Sequence, residues 1–192
     1  RRAARRHVSV LSLTDHDTTS GLDRFMRACR KEGIQGITGV ELSAEAPFTL
    51  HVMGYRISGG NSVLQEKLEQ LRQNRRRRNE LMVEKLSVIG LPVTIEEVES
   101  ESGGEVVARP HIARVLVKKG LVPDIAAAFK KYIGRGGPAY VANTRLSPEE
   151  CLDLIHEADG LPVLGHPGLM GLDERDLFIL LKRLADRGLW GL

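Results

Sequence analysis

The chain has 192 residues, of which 42% are hydrophobic and 28% charged, and its formal net charge is +3. These values are typical of one globular domain, or of one core with an inserted subdomain, and they exclude global disorder. No apolar run approaches the ~18 residues that a membrane-spanning helix needs, so we expect no membrane partner. Two cysteines give no disulfide framework, which favours a cytoplasmic location. Aromatic residues make up only 4%, which argues against a base-stacking platform for single-stranded nucleic acid.

The first 60 residues alternate between strand and helix patterns. Short apolar runs at 8–13, 34–42 and 50–55 predict buried strands, and the segment 21–31 carries apolar residues at helical spacing. Polar side chains follow the predicted strand ends. This alternation is typical of an α/β layer or barrel.

The middle of the chain changes to helical patterns, and we interpret 61–135 as a mostly helical insertion. The helices predicted within it lie at 62–89, 111–119 and 124–133. The α/β alternation then resumes. Its predicted elements are a helix that begins at Ser147, a strand at 161–166, a helix at 173–186 and a strand fragment at 189–192.

Four residues of metal-ligand type lie at or beside the ends of predicted strands: His16, Glu41, His51 and His166. Functional groups gather at strand ends in α/β proteins because those ends meet around a crevice. Imidazole and carboxylate are the usual ligands of Zn, Mn and Fe, and such sites suit hydrolysis of phosphate esters. Taken singly, each residue is more simply explained as a polar side chain satisfied at a turn. The four together favour a metal site, with the turn interpretation left open.

Several motifs carry a resemblance to a known family. They are Thr14-Asp15-His16-Asp17-Thr18, Gly39-Val40-Glu41-Leu42-Ser43, His51-Val52-Met53-Gly54-Tyr55 and Gly165-His166-Pro167-Gly168. In this order they resemble the PHP (polymerase and histidinol phosphatase) superfamily. Arg109-Pro110-His111-Ile112-Ala113 and Pro138-Ala139-Tyr140-Val141 are similar to one branch, the bacterial nucleoside 3′,5′-bisphosphate phosphatases, which also act as 5′-to-3′ exonucleases on short RNA. The resemblance extends over essentially the whole chain.

The resemblance implies a distorted (β/α)7 barrel that holds up to three divalent metals, usually Mn, Zn or Fe. By the same resemblance, His16 would be a terminal ligand of one metal, and Glu41 would bridge two metals. His51 and His166 would bind the metal at one end of that bridge. Asp15 would orient the ligands through hydrogen bonds, so Asp15 and His16 are the catalytic candidates.

The family also has an N-terminal His-x-His pair and a C-terminal Asp-x-His, and neither motif occurs in these 192 residues. We therefore expect an incomplete (β/α)7 barrel formed by 1–60 and 136–192, with 61–135 as a helical insertion or lid. We further expect that this chain alone does not hydrolyse phosphate esters and that its parent protein does, because a catalytic metal site needs its full ligand set.

The helical insertion supplies the candidate substrate contacts: Arg78, Asn79, Arg109 and His111. Guanidinium groups fit phosphate oxygens bidentately, and Pro110 can open a helix whose N-terminus favours an anion. The alternatives are that 75–78 is the solvated face of a helix and that Arg109 forms a salt bridge. The acids available for that salt bridge are Glu97, Glu99 and Glu101. Tyr140 and Trp190 could stack a base, but core packing is the simpler expectation for both.

The leading hypothesis is a metal-dependent phosphoesterase that removes the 3′-phosphate of nucleoside 3′,5′-bisphosphates and trims short 5′-phosphorylated RNA. The alternatives are a histidinol-phosphate phosphatase, a polymerase-associated PHP exonuclease, or a non-catalytic nucleic-acid-binding domain. The partner is thus a nucleotide or a short oligonucleotide. A net charge of only +3 argues against long duplexes. The sequence leaves the oligomeric state open.

Overall fold

A computed structural model describes residues 2–103 and 107–192. The chain divides into two compact units. The sheet unit consists of Arg1–Glu69 and Arg145–Leu192, and the helical unit consists of Gln70–Thr144. The helical unit therefore begins and ends further along the chain than the insertion expected at 61–135.

Four strands form the sheet, in the spatial order β1 (Val10–Leu13), β2 (Gln35–Ser43), β3 (His51–Tyr55) and β4 (Leu161–Leu164). β1 pairs with β2 in parallel, whereas β3 is antiparallel to both β2 and β4. The carboxyl ends of β1, β2 and β4 therefore lie at one edge of the sheet, together with the amino end of β3. We call this edge of the sheet the ligand edge.

The strands place their polar and apolar residues on opposite faces because side chains alternate along a strand. Val40, Leu42 and Val52 are fully buried on one face. Glu41 and Ser43 alternate with them, and His51 lies opposite Ser43 in the β2–β3 register. Glu41 and His51 therefore share the other face of the sheet at its ligand edge.

The helices of the sheet unit are α1 (Leu22–Lys31), α6 (Pro148–Glu157), α7 (Glu174–Ala185) and the first part of α2 (Ser62–Val88). α1 packs against β1 and β2, and α6 packs against β3 and β4. α6 begins with a capping box, in which Ser147 and Glu150 exchange side-chain-to-backbone hydrogen bonds, and Pro148 occupies its first turn. The start predicted at Ser147 is thus confirmed as the N-cap of α6.

The helical unit contains the rest of α2 with α3 (Ile95–Ser102), α4 (Arg109–Lys118) and α5 (Ile125–Ala128). Its own core includes Met82, Leu86, Ile112 and Leu116, all fully buried. α5 runs directly into a π-helix, Phe129–Ile133, so the single helix predicted at 124–133 has two kinds of hydrogen bonding. The unit is therefore helical, as the sequence pattern predicted.

Two expectations about the last residues are wrong. The fragment at 189–192 forms no strand of its own, and only Gly191 pairs, through a single bridge to Val163. Trp190, expected in the core, is 69% exposed, whereas Tyr140 is half-buried. Beside this bridge, the backbone N–H of Trp190 donates to the carbonyl of Pro162. Among the described residues, none of the helices has the length and apolar character needed to cross a membrane.

Candidate metal centre

The four residues of metal-ligand type meet at the ligand edge. Glu41 lies within β2, and His51 is the first residue of β3. His16 follows β1 and continues its parallel register as a bridge to Glu41, and His166 follows β4. His51 reaches this edge from the start of its strand, because β3 runs against its neighbours, and not from a strand end.

The Glu41 carboxylate lies among the three imidazole rings. Its Oε1 atom is 2.8 Å from His51 Nδ1 and 3.1 Å from His166 Nε2, and its Oε2 atom is 3.5 Å from His16 Nδ1. His51 Nδ1 and His166 Nε2 lie 3.0 Å apart. The carboxylate and the three ring nitrogens thus form a single cluster of possible donor atoms.

The donor set fits a divalent metal. Ligand atoms of His16, Glu41 and His51 all lie within 4.8 Å of one another. Around one tetrahedral cation with bonds of about 2.1 Å, neighbouring ligand atoms lie about 3.4 Å apart, close to the separations seen here. Imidazole with carboxylate suits Zn, Mn or Fe, and the ring nitrogens of His51 and His166 that face Glu41 would bind a cation on losing their protons.

The carboxylate of Glu41 is held in its charged form. Burial is the largest single influence and alone would raise its pKa, because a desolvated charge is unfavourable. Hydrogen bonds from His51 and His166 and the electrostatic effect of His16 and His51 act in the opposite direction and prevail. The pKa of Glu41 therefore lies below its usual value, and the cluster contains an anionic ligand at neutral pH.

Asp17 connects the segment that carries His16 to β2 through hydrogen bonds. The residue is 3% exposed, and its Oδ1 and Oδ2 atoms accept hydrogen bonds from the backbone N–H and the hydroxyl of Ser43, at 3.0 and 3.2 Å. Its own N–H donates to the carbonyl of Glu41. Asp17 adopts a left-handed backbone (φ 52°), a conformation that Asp tolerates better than most residues.

Sequence reasoning assigned the orienting role to Asp15 and missed Asp17. Asp15 is exposed, and its backbone carbonyl accepts a hydrogen bond from the N–H of Glu41. Its carboxylate lies beside Gly21, where a Cβ would come within 2.9 Å of Oδ2. The signal for Asp17 was present in the sequence as a second acid directly after the candidate ligand. The orienting role of Asp15 stays a prediction.

His166 also has a left-handed backbone, with φ 33°, which is uncommon for a residue other than glycine. The preceding Gly165 donates its N–H to the carbonyl of His51, and a Cβ on Gly165 would lie 3.3 Å from that oxygen. The chain turns sharply here. The turn brings the His166 ring beside His51, with ring centroids 4.9 Å apart.

Arg78 and Asn79 are buried within α2, at 8% and 1% exposure. Arg78 donates to the side-chain oxygen of Asn79, and the Asn79 amide donates to the carbonyl of Val107. The alternative of a solvated arginine face holds for Arg76 and Arg77, which are exposed and pair with an acid on the same helix. It does not hold for Arg78, which is buried. The substrate contacts predicted for Arg78 and Asn79 stay predictions.

Arg109 and His111 lie in the first turn of α4. The Arg109 guanidinium carbon is 5.7 Å from the ring centres of both Phe129 and Tyr140, within cation–π range. The acids proposed as its salt-bridge partners pair elsewhere: Glu97 with Lys119, Glu99 with Arg76, and Glu101 with Arg114 and Lys118. The substrate contact predicted for Arg109 stays a prediction.

His111 contributes to the start of α4, because its Nδ1 atom accepts the backbone N–H of Ala108 at 2.9 Å. Burial, followed by the nearby charge of Arg114, lowers the pKa of His111, against a smaller opposing effect of Glu101. The imidazole is thus held neutral, with its remaining N–H on Nε2. Its predicted contact with substrate stays a prediction.

The sheet and its imidazole–carboxylate cluster define an α/β protein with a candidate metal site at the ligand edge. No protein-family model matches the chain. It is 32% identical over 188 residues to the 5′-3′ exoribonuclease Rnm of Escherichia coli. This match covers 96% of this chain and 64% of the relative. It is 34% identical over 169 residues to the 3′,5′-nucleoside bisphosphate phosphatase of Chromobacterium violaceum, covering 87% of this chain and 59% of that protein.

The comparison with solved structures agrees with these sequence matches. A solved amidohydrolase structure from Chromobacterium violaceum superposes with a TM-score of 0.87 at 32% identity, covering 99% of this chain and 68% of that one. The chain belongs to the PHP superfamily of phosphoesterases, as its motifs predicted. It spans 64% and 59% of the length of the two sequence relatives.

Proposed function

We propose that the protein is a metal-dependent phosphoesterase, and that its substrates are nucleoside 3′,5′-bisphosphates and short 5′-phosphorylated RNA. One observation carries the proposal: the ionised Glu41 carboxylate lies 2.8–3.5 Å from three imidazole nitrogens at the ligand edge. The relatives named an exoribonuclease and a bisphosphate phosphatase support the choice of substrates.

In this proposal His16, Glu41, His51 and His166 hold the metals, of which Mn, Zn and Fe suit the donor set. When bound, such metals acidify water and neutralise charge on a phosphoryl group. The protein's own contribution is preorganisation. Asp17 keeps His16 beside Glu41 through Ser43, so the donor atoms need little rearrangement on binding.

The remaining predicted roles belong to the same proposal. Arg109 would bind a substrate phosphate, since a guanidinium matches phosphate oxygens bidentately and its ring contacts restrict its movement. Arg78, Asn79 and His111 are the other proposed substrate contacts. Asp15 would act on the ligands by hydrogen bonding.

The experiment is a titration of the metal-free protein with Mn²⁺ and with Zn²⁺ by calorimetry. Glu41→Gln keeps the shape of the side chain but removes its charge, and we expect it to weaken binding by about 100-fold or more, beyond the 10–100-fold effect of residues that only support ligands. Glu45→Gln is the matched control, because Glu45 lies four residues further along and is exposed. Equal affinities for the two variants would contradict the proposal.

A second titration tests the substrate class. Adenosine 3′,5′-bisphosphate is expected to bind the metal-loaded protein, and to lose that binding both in Glu41→Gln and after chelation of the metal. Adenosine, which lacks phosphate, is the control ligand. Bisphosphate binding that is unchanged without metal would count against a metal-dependent phosphoesterase.

A further inference from the structure

Helix α1 turns a row of basic side chains away from the sheet. Its buried residues are Leu22 and Cys29, and Met26 faces the strands, since a Cβ on Gly36 of β2 would lie 2.8 Å from its sulfur. At 100° per residue, the side of the helix opposite these residues carries the exposed side chains Arg24, Arg27 and Lys31, all within about 60° of one another. We call these three residues the basic stripe.

The basic stripe is not neutralised within the part of the chain that the structure describes. No residue of 2–103 or 107–192 forms an ion pair with Arg24, Arg27 or Lys31. The acid of the first turn, Asp23, lies about 100° away from Arg24 around the helix but only about 40° from Arg27, so it offsets charge beside Arg27 and leaves the stripe net positive. Two acids of α6 pair with other cations: Glu149 with Arg183 of α7, and Asp153 with Arg187 just beyond α7.

The basic stripe starts close to the metal centre. α1 begins six residues after His16, and its N-cap, Gly21, lies against the Asp15 side chain. Along the helix axis, Arg24 and Arg27 are about 4.5 Å apart, and Arg27 and Lys31 about 6 Å. These steps exceed the ~3.4 Å rise between phosphates on one stacked strand, so each cation can meet a different phosphate.

We propose that the basic stripe binds the phosphate backbone of single-stranded RNA whose 5′ end is at the metal centre. This inference rests on the proposed function and deepens it, since it assigns a surface outside the metal centre to the oligonucleotide substrates. Charge complementarity carries it: three exposed cations share about 60° of the helix surface, and of the acids on this helix only Asp23 lies beside one of them, Arg27. The low aromatic content fits contacts with phosphates and not with bases.

The experiment compares two double variants that remove the same charges. Arg24→Gln with Lys31→Gln changes the stripe, and Arg175→Gln with Lys182→Gln is the control. In both cases an exposed arginine and an exposed lysine lie seven residues apart on a helix of the sheet unit. On α7 the apolar Phe178 lies between the two cations, so this pair does not form a continuous basic row.

Binding of a 5′-phosphorylated ten-nucleotide RNA is measured by fluorescence anisotropy across a range of KCl concentrations. Each phosphate contact contributes about 0.7 to the slope of log K against log salt, so the stripe variant should lose about 1.4 in slope. At 0.1 M salt this corresponds to about 25-fold weaker binding. The control variant should bind RNA as the unmodified protein does.

Equal losses in the two variants would show that only net charge matters and would overturn the proposal, as would unchanged RNA binding by the stripe variant. Vesicles containing one-third phosphatidylserine form the second arm. Stripe-dependent vesicle binding without stripe-dependent RNA binding would assign the surface to a membrane and refute the RNA proposal. The affinity of the unmodified protein for Mn²⁺ and Zn²⁺ is measured separately, without RNA. If neither metal binds, the proposed function itself fails, whatever the result for the basic stripe.

Discussion

Removal of the Asp17 carboxylate tests how the metal centre is built. This side chain is buried, and it accepts two hydrogen bonds from Ser43, one from the backbone and one from the hydroxyl. It therefore joins the segment that carries His16 to the strand that carries Glu41. Asp17→Ala removes both hydrogen bonds and leaves the N–H of Ser43 without its acceptor.

The cost follows from these contacts. Hydrogen bonds to a charged group contribute about 1.5–3 kcal/mol each, so the loss of two gives about 3 kcal/mol or more. The left-handed backbone at Asp17 (φ 52°) adds about 1 kcal/mol, because alanine disfavours that region. Asp17→Asn should cost far less, since its amide can still accept from the Ser43 N–H and asparagine tolerates the same backbone.

The assay combines urea unfolding with metal titration. We expect Asp17→Ala to unfold at a clearly lower urea concentration and to bind Mn²⁺ or Zn²⁺ 10–100-fold more weakly, the usual effect of losing a residue that supports ligands. Asp17→Asn should lie between this variant and the unmodified protein. Glu45→Ala is the control, because Glu45 is an exposed acid with no proposed role at the metal centre. An effect of Glu45→Ala as large as that of Asp17→Ala would refute this account.

Two further predictions concern stability. The pKa of His111 is lowered by burial, so its contribution is complete above the unfolded value of about 6.5 and is lost as the pH falls through the lower folded value. Protonation of Nδ1 would break the bond from Ala108, and between pH 7.5 and 5 the protein should lose about 1 kcal/mol relative to His111→Gln, which can still accept that bond. The exposed His156→Gln is the control, and an identical pH profile for the two variants would contradict the prediction. Gly39→Ala should destabilise the sheet by about 1–3 kcal/mol, because a Cβ there would meet two backbone oxygens at 2.9 and 3.0 Å. Gly60→Ala, with nothing within 4 Å, should unfold as the unmodified protein does; a similar midpoint for Gly39→Ala would show that the strands can separate at no cost.

The positions of the candidate ligands could be predicted because strand ends are visible in a sequence. Apolar runs that stop at His16 and His166 mark chain segments that leave the core, and the structure brings both to one edge. The direction of β3 could not be predicted in this way. A strand pattern has no polarity, and only the pairing of Ser43 with His51 places the first residue of β3 at the ligand edge.

The role of Asp17 could not be read from the pattern, because it depends on a backbone conformation. Asp15 and Asp17 flank His16 and are chemically identical. The left-handed turn at Asp17 directs its carboxylate to Ser43, while Asp15 remains exposed. Similarly, the run of arginines gave no indication that Arg78 alone among them is buried.

The order of the strands explains why the acid, and not a histidine, lies at the centre of the cluster. β2 is internal, so Glu41 has His16 after β1 on one side and His51 of β3 on the other. β4 lies beyond β3, and His166 reaches Glu41 across that strand from a left-handed turn. A carboxylate on an internal strand carries a large desolvation cost, and the three imidazoles offset it. The same packing makes the anion available to a cation: because burial disfavours the isolated charge, a divalent metal that satisfies Glu41 and the ring nitrogens together gains more here than at an exposed acid such as Glu45.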